Sequence, residues 1–231
     1  MTYVISDIHG RYNEYMEMLA RIGFSDADAL YINGDILDRG PEPIRIVQDV
    51  MERPNVICIA GNHELMGIRC LKWLKDGTFR MDYGVLGDMM LWAENGGGTT
   101  VEEFQKLDGA EKDRVFEYLA ELEFYKELTV NGEKYLLVHG GLERFEPDKP
   151  LDDYDPEDMV WTRTDYGVPY FPDRYVVTGH TPTSFIAENP RPGCIFRGNR
   201  HIAIDCGAGA GVRLGCICLE TGEEFYVECG K

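Results

Sequence analysis

Residues 3–10, YVISDIHG, and residues 30–40, LYINGDILDRG, share one plan: a short apolar run, then a turn that carries carboxylates and ends in glycine. A short apolar run bounded by such a turn reads as a buried strand. Outward from these two, helical patterns follow at about 13–22 and 43–51, and a third apolar run occupies 56–60. Strands at 3–6, 30–33 and 56–60 that alternate with helices predict a parallel βαβαβ unit. The carboxyl ends of such strands are where open α/β sheets gather their chemistry.

The stretch at roughly 64–122 reads as helical, with stripes at Leu65, Ile68, Leu71 and Leu74 and at Val115, Leu119 and Leu122, broken by Asn95-Gly96-Gly97-Gly98. Strands then return. Asn131-Gly132 between apolar runs predicts a hairpin, and further strands are expected at 175–178, 202–205, 213–219 and 224–228. The Asp- and Pro-rich stretch at 146–158 reads as a solvated, linker-like loop.

The 231 residues suit one large domain or two small ones, and 44% hydrophobic with 11% aromatic residues excludes a disordered chain. With 41 acidic against 23 basic residues the net charge is −18, which disfavours nucleic-acid and anionic-membrane partners. No apolar run is long enough to span a bilayer, and the first ten residues lack the basic and apolar regions of a leader. Seven cysteines, an odd number set in apolar stretches, predict buried thiols in a reducing, cytoplasmic setting. Cys216-x-Cys218 reads as strand alternation more readily than as half of a zinc site.

Five histidines occur, and four stand beside glycine in loops after apolar runs: His9 in Asp7-Ile8-His9-Gly10, His63 in Gly61-Asn62-His63-Glu64, His139 in Val138-His139-Gly140-Gly141 and His180 in Thr178-Gly179-His180-Thr181. Imidazole and carboxylate are ordinary ligands of borderline divalent metals. Asp7 and His9, two apart at a strand end, point to one side and can share an ion, although a plain loop offers the same pair. Asp35 has two oxygens and can bind one ion with each, holding two about 3.5–4 Å apart as two-metal hydrolysis requires. Arg39 offers a planar fork to phosphate oxygens, while Asp38-Arg39 taken alone reads rather as a local ion pair capping the helix after Pro41. Asn62 adds a neutral carbonyl ligand. His63 beside it then points elsewhere and is free for proton work, the bland alternative being a hydrogen-bonded core histidine.

Together and in this order, Asp7-Ile8-His9-Gly10, Gly34-Asp35-Ile36-Leu37-Asp38-Arg39-Gly40 and Gly61-Asn62-His63-Glu64, followed by His139 and His180, resemble the phosphoprotein phosphatase family within the metallophosphoesterases. The resemblance runs from residue 3 to about 219. It is nearest to the bacterial and bacteriophage-lambda-type serine/threonine phosphatases, through Trp92-x-x-Asn95-Gly96-Gly97, Trp161-Thr162-Arg163 and Ile204-Asp205-Cys206-Gly207-Ala208.

The resemblance implies an α/β fold of the calcineurin-like kind, a β-sandwich flanked by helices with a dinuclear metal site at the loop edge. It implies one domain over 1–231, with a mostly helical insertion or cap at about 66–122. Two divalent ions are expected, manganese first and iron or zinc as alternatives: Asp7, His9 and Asp35 hold one, and Asp35, Asn62, His139 and His180 hold the other. Arg39 and Arg163 are expected to grip phosphoryl oxygens, His63 to act as general acid, and Asp38 to keep the His63 imidazole in its proton-donating state. The chain departs from the family at Ala60, where many members carry arginine, so one phosphate or structural contact is missing. The longer carboxyl-terminal portion of eukaryotic members has no evident counterpart, so their regulatory subunits are not expected. His201 matches no motif and is expected as a plain surface or strand-end histidine.

Two ions bring +4 to two ligand carboxylates, so the inner site is locally about +2 and admits a phosphate dianion in spite of the acidic chain. The expected reaction removes phosphate from phosphoserine or phosphothreonine in proteins or peptides by direct attack of a metal-bridging hydroxide, with His63 protonating the poor alkoxide leaving group. The alternative is hydrolysis of dinucleoside polyphosphates such as diadenosine tetraphosphate on the same cage; retention of both Asp38 and Arg39 leans towards the phosphatase. A silent phosphate-binding scaffold finds no support, since all six ligand positions and His63 are present. A nucleic-acid phosphodiesterase is disfavoured by the acidic surface and the absence of a basic run. A phosphoprotein or phosphopeptide partner is expected, with no nucleic acid and no membrane; oligomeric state is left open.

Overall fold

In the computed structural model, which describes residues 1–76 and 83–230, the first unit folds as its alternation demands. Strand β1 (Thr2–Ile5), helix α1 (Tyr12–Ile22), β2 (Ala29–Asn33), α2 (Pro43–Glu52) and β3 (Val56–Ile59) follow in turn, with the three strands parallel and adjacent. Helix α1 stops at Gly23, whose φ of 62° suits a left-handed cap. Helix α2 starts with Pro43, whose missing N–H costs nothing in a first turn.

Helices α3 (Asn62–Asp76), α4 (Tyr83–Glu94), α5 (Gly98–Lys106) and α6 (Gly109–Ala120) come next. The hairpin β4 (Tyr125–Val130) and β5 (Glu133–Val138) turns at Asn131 and Gly132, both left-handed. The chain continues through α7 (Pro156–Trp161), β6 (Arg174–Thr178), β7 (Phe196–Gly198), β8 (His201–Ala203), β9 (Arg213–Cys218) and β10 (Glu224–Glu228). Residues 77–82, within the expected helical stretch, lie outside the described residues.

Among the described residues the strands form two five-stranded sheets, β10-β9-β1-β2-β3 and β4-β5-β6-β8-β7. Period-two alternation sorts their side chains. Val4 and Ile217 of the first sheet meet Leu137, Val177 and Ile202 of the second in one buried layer between them. Tyr3, Ile5, Leu214, Cys216 and Cys218 face the other way, into a core shared with Met18, Val47, Leu71, Phe104, Val115 and Leu119 of the helices. Cys216-x-Cys218 is therefore strand alternation, and all seven cysteines are free.

Two local expectations are corrected. The stretch at 146–158 is not loop throughout: Asp155 accepts the Glu157 N–H, Pro156 occupies the first turn, and α7 buries Met159 and Val160. Of the two places expected for His201 the strand end holds and the surface does not. It opens β8 at 1% exposure, edge-on to Tyr166 and Tyr170, with Nε2 2.9 Å from the Val168 carbonyl oxygen.

Candidate active site

Strands β5 and β6 are parallel, as are β1, β2 and β3, so the carboxyl ends of both sets gather at one edge of the sandwich. Asn33, at the end of β2, ties the sheets together there: its Nδ2 donates to the carbonyls of Val138 (3.2 Å) and Val177 (3.1 Å). That bond set brings His139 and His180, which follow those strands, to the loop that carries Asp35. The β1 and β2 loops interlock through Asp7 N–H to Gly34 O, His9 N–H to Asp35 O and Gly40 N–H to His9 O.

Asp7, His9, Asp35, Asp38, Arg39 and His180 all have φ between 47° and 71°. This left-handed backbone costs roughly 1–2 kcal/mol for a residue with a side chain. Its concentration at one place marks a site that the surrounding fold over-determines. The approach of the β3 loop is close enough to require glycine: a Cβ on Gly61 would lie 2.7 Å from the Asp35 nitrogen.

Asp35 is the common centre. Its Oδ2 lies 3.3 Å from His139 Nε2, 3.6 Å from His9 Nε2 and 3.9 Å from His63 Nε2, and its Oδ1 accepts the His63 N–H at 3.1 Å from the first turn of α3. Asn62 Oδ1 lies 3.0 Å from His139 Nε2 and 2.9 Å from His180 Nδ1. The far nitrogens of two rings are fixed by carbonyls, His139 Nδ1 by Asn33 O and His9 Nδ1 by Leu37 O, which aims both Nε2 atoms inward. Donor atoms of Asp35, His139 and His180 form one set within 4.8 Å, and those of His9, Asp35 and His63 a second. Asp7 reaches the same place from the β1 loop, where its carboxylate accepts the His180 N–H at 3.2 Å and the Ser6 hydroxyl.

The electrostatics show what this cluster lacks. Burial, then the neighbouring Asp205, raises Asp7 well above the usual carboxyl range, and burial lifts Asp205 to about 6. Burial also opposes charge on Asp35, but the imidazoles of His139 and His63 outweigh it and hold Asp35 low. His139 rises to about 10 because Asp35 overrides its burial, while burial drives His9 and His180 down to about 3. Among the described residues no buried lysine or arginine balances these acids. Oxygen and imidazole donors that converge at buried carboxylates fit divalent cations.

His63 belongs to the second of these sets and has other partners as well. Its Nδ1 is 2.6 Å from Asp38 Oδ2 and its Nε2 is 3.0 Å from Arg39 Nη2. Burial opposes protonation, yet Asp35 and Asp38 raise the imidazole above its ordinary value. Arg39 is exposed. Arg163 is exposed too, and its charge is felt at His180.

Several residues here went unread in the sequence. Glu64 accepts four backbone N–H groups, from Asp35 (2.7 Å), Ile36 (2.9 Å), Leu37 (3.1 Å) and Gly61 (2.8 Å), and so locks the Asp35 turn onto α3. Its place in Gly61-Asn62-His63-Glu64 was the available signal. Asp205 joins the buried acids, and Trp92 and Thr100 both bond Asp38.

A two-sheet sandwich with buried imidazoles and carboxylates gathered at the carboxyl edge defines the class of metal-dependent phosphoester hydrolases. The calcineurin-like phosphoesterase model matches residues 2–205, and the chain belongs to that family. It is 27% identical over 168 residues to serine/threonine-protein phosphatase 2 of Salmonella typhimurium, covering 70% of this chain and 67% of that one. It is 26% identical over 226 residues to the asymmetrical bis(5'-nucleosyl)-tetraphosphatase of Halalkalibacterium halodurans, covering 84% of this chain and 86% of that one. Shorter matches reach symmetrical bis(5'-nucleosyl)-tetraphosphatases over less than half of their length. The solved structure of a candidate diadenosine tetraphosphatase superposes with a TM-score of 0.67 at 19% identity, covering all of this chain and 94% of that one. These matches show the family and fold, and the names divide between two substrate classes.

Proposed function

We propose that the protein is a phosphomonoesterase that removes phosphate from phosphoserine or phosphothreonine in proteins or peptides. The observation that carries this reading is the Asp38–His63 pair at 2.6 Å beside Asp35. A serine or threonine alkoxide is a poor leaving group and needs a proton as it departs, whereas the phosphate released from a dinucleoside polyphosphate needs far less help. A buried imidazole poised by a carboxylate is machinery for the first case.

In this reading Asp7, His9 and Asp35 hold one divalent ion and Asp35, Asn62, His139 and His180 the other, with Asp35 shared. Such a pair, when bound, supplies Lewis acidity and a nucleophilic water near neutral pH. Manganese is the proposed metal. Arg39 and Arg163, both exposed, orient the phosphoryl oxygens through their planar forks. His63 commits Nδ1 to Asp38 and, once Arg39 leaves Nε2 for the phosphoryl oxygens, delivers a proton from Nε2 to the leaving oxygen. The helical segment at about 66–122 forms one wall of substrate access, and free thiols favour a cytoplasmic setting. The resemblance to bis(5'-nucleosyl)-tetraphosphatases supports a second reading, hydrolysis of diadenosine tetraphosphate on the same cage.

Product analysis separates them. The manganese-loaded enzyme, offered a phosphoserine peptide and diadenosine tetraphosphate at equal concentration, is expected to release inorganic phosphate from the peptide with the higher kcat/KM. Faster production of nucleotides from the dinucleotide overturns the phosphatase reading in favour of the second.

A further inference from the structure

Asp38 receives more hydrogen bonds than the orientation of one imidazole requires. Its Oδ2 accepts from the indole Nε1–H of Trp92 at 2.8 Å as well as facing His63, and its Oδ1 accepts from the Thr100 hydroxyl at 2.5 Å. The Thr100 oxygen in turn accepts the Asp38 N–H at 3.0 Å. Asp38, Trp92 and Thr100 are all buried.

The directions of these bonds follow from the chemistry of the donors. Backbone and indole N–H groups only donate, and a hydroxyl has a single proton. Since the Thr100 oxygen takes the Asp38 N–H, its proton goes to Oδ1. An ionised carboxylate only accepts, so the hydrogen in the 2.6 Å contact belongs to His63 Nδ1. Nε2 is then the ring atom left to exchange a proton; here it faces the Arg39 guanidinium at 3.0 Å, which only donates, so Arg39 must turn to the phosphoryl oxygens before Nε2 carries the proton.

Trp92 and Thr100 flank the turn between α4 and α5, and that turn also touches Arg39. The Arg39 N–H donates to Gly96 O at 3.1 Å, and the Gly97 N–H returns to Trp92 O at 3.0 Å. Gly97 lies under the indole so closely that a Cβ there would stand 2.6 Å from the ring. One corner of the helical segment therefore fixes Asp38 through two side chains and Arg39 through its backbone.

We propose that Trp92 and Thr100 are positioning residues for the acid: they clamp Asp38 so that its carboxylate holds His63 with Nδ1 protonated and Nε2 turned to the leaving oxygen. The inference rests on the reading of His63 as general acid given above. A structural role alone would slow all substrates alike, whereas a clamp on the acid acts where a proton is needed.

The test compares the manganese-loaded enzyme on a phosphoserine peptide, whose leaving group is an alkoxide, and on p-nitrophenyl phosphate, whose phenolate leaves unaided. General acids contribute about 10²–10⁴-fold, so the peptide-to-aryl ratio of kcat is expected to fall by about 10²-fold in His63→Asn and by about tenfold in Thr100→Val and Trp92→Phe. Thr100→Ser, which keeps the hydroxyl, restores the ratio. Bound manganese and melting temperature are measured on every variant, and if Trp92→Phe does not fold, the two Thr100 variants decide. A ratio that falls in His63→Asn but stays at the wild-type value in Thr100→Val overturns the clamp and leaves the acid reading standing. Equal loss on both substrates with loss of manganese assigns Thr100 to the scaffold and also overturns the clamp. An unchanged ratio in His63→Asn overturns the acid reading, and the clamp with it.

Discussion

His139 Nε2 lies 3.3 Å from Asp35 Oδ2, and both side chains are buried. The contact joins the β5 loop of one sheet to the β2 loop of the other, so the two sheets meet chemically where their parallel strands end. Asp35 also faces His9 and His63, which makes it the residue whose charge most of the cluster shares. Asp35→Asn keeps the shape and removes the charge. Bound manganese is expected to drop below two equivalents by elemental analysis, and phosphate release to fall by about 100-fold or more. Retention of two ions at full activity would remove Asp35 from the bridge.

Cations that bind only the folded chain stabilise it by mass action. At a free manganese concentration about 100 times Kd each ion adds about 2.7 kcal/mol, so two add about 5.4 kcal/mol, which for a chain of this size raises Tm by roughly 10–20 °C. A thermal scan with manganese and then with excess chelator measures the difference. Identical melting curves would count against the cage.

Glu64→Gln replaces a carboxylate that accepts four N–H groups by an amide with one oxygen and an NH₂ that competes with those donors. Buried donors left unpaired cost about 1–3 kcal/mol. Urea unfolding is expected to show a loss of about 2 kcal/mol, with faster amide exchange at Ile36 and Leu37. Wild-type stability in the variant would mean that the Asp35 turn holds itself.

Acid should release a second, peripheral tie. Glu220 accepts the Thr2 N–H at 2.8 Å and the Thr2 hydroxyl at 2.9 Å. Partial burial opposes its charge, but these bonds outweigh burial and lower the carboxyl below its ordinary 4.5. A depressed folded value stabilises fully above the unfolded value and is lost as pH falls through the folded one. Because Glu220 is largely solvated, the contribution is below ~1 kcal/mol. The stability gap between wild type and Glu220→Gln is therefore expected to hold from pH 7 down to about 4.5 and to close below it. A gap that widens instead would reverse the sign of this account.

The parallel unit was legible because each strand carries its own signal: an apolar run and a glycine-bearing stop, with boundaries that fall within a residue or two of β1, β2 and β3. The gathering of His9, Asp35, Asn62, His139 and His180 followed from the rule that chemistry sits at carboxyl strand ends. What escaped depends on distant partners. Nothing local to Trp92 or Thr100 announces a bond to Asp38, which lies 54 and 62 residues away in the chain. His201 matches no motif, so its strand-end place was legible but its burial against Tyr166 and Tyr170 was not. Helix α7 did carry a signal, Asp155 before Pro156, but the acidic composition around it masked the cap.

The most direct test of the central claim is a manganese titration of the chelator-treated protein, followed by phosphate release from a phosphoserine peptide, with Asp35→Asn run beside it. The account predicts negligible turnover without metal, activity that saturates at two equivalents of manganese in the wild type, and no saturating activity in the variant. Full turnover without metal, or an unchanged titration in Asp35→Asn, would contradict it.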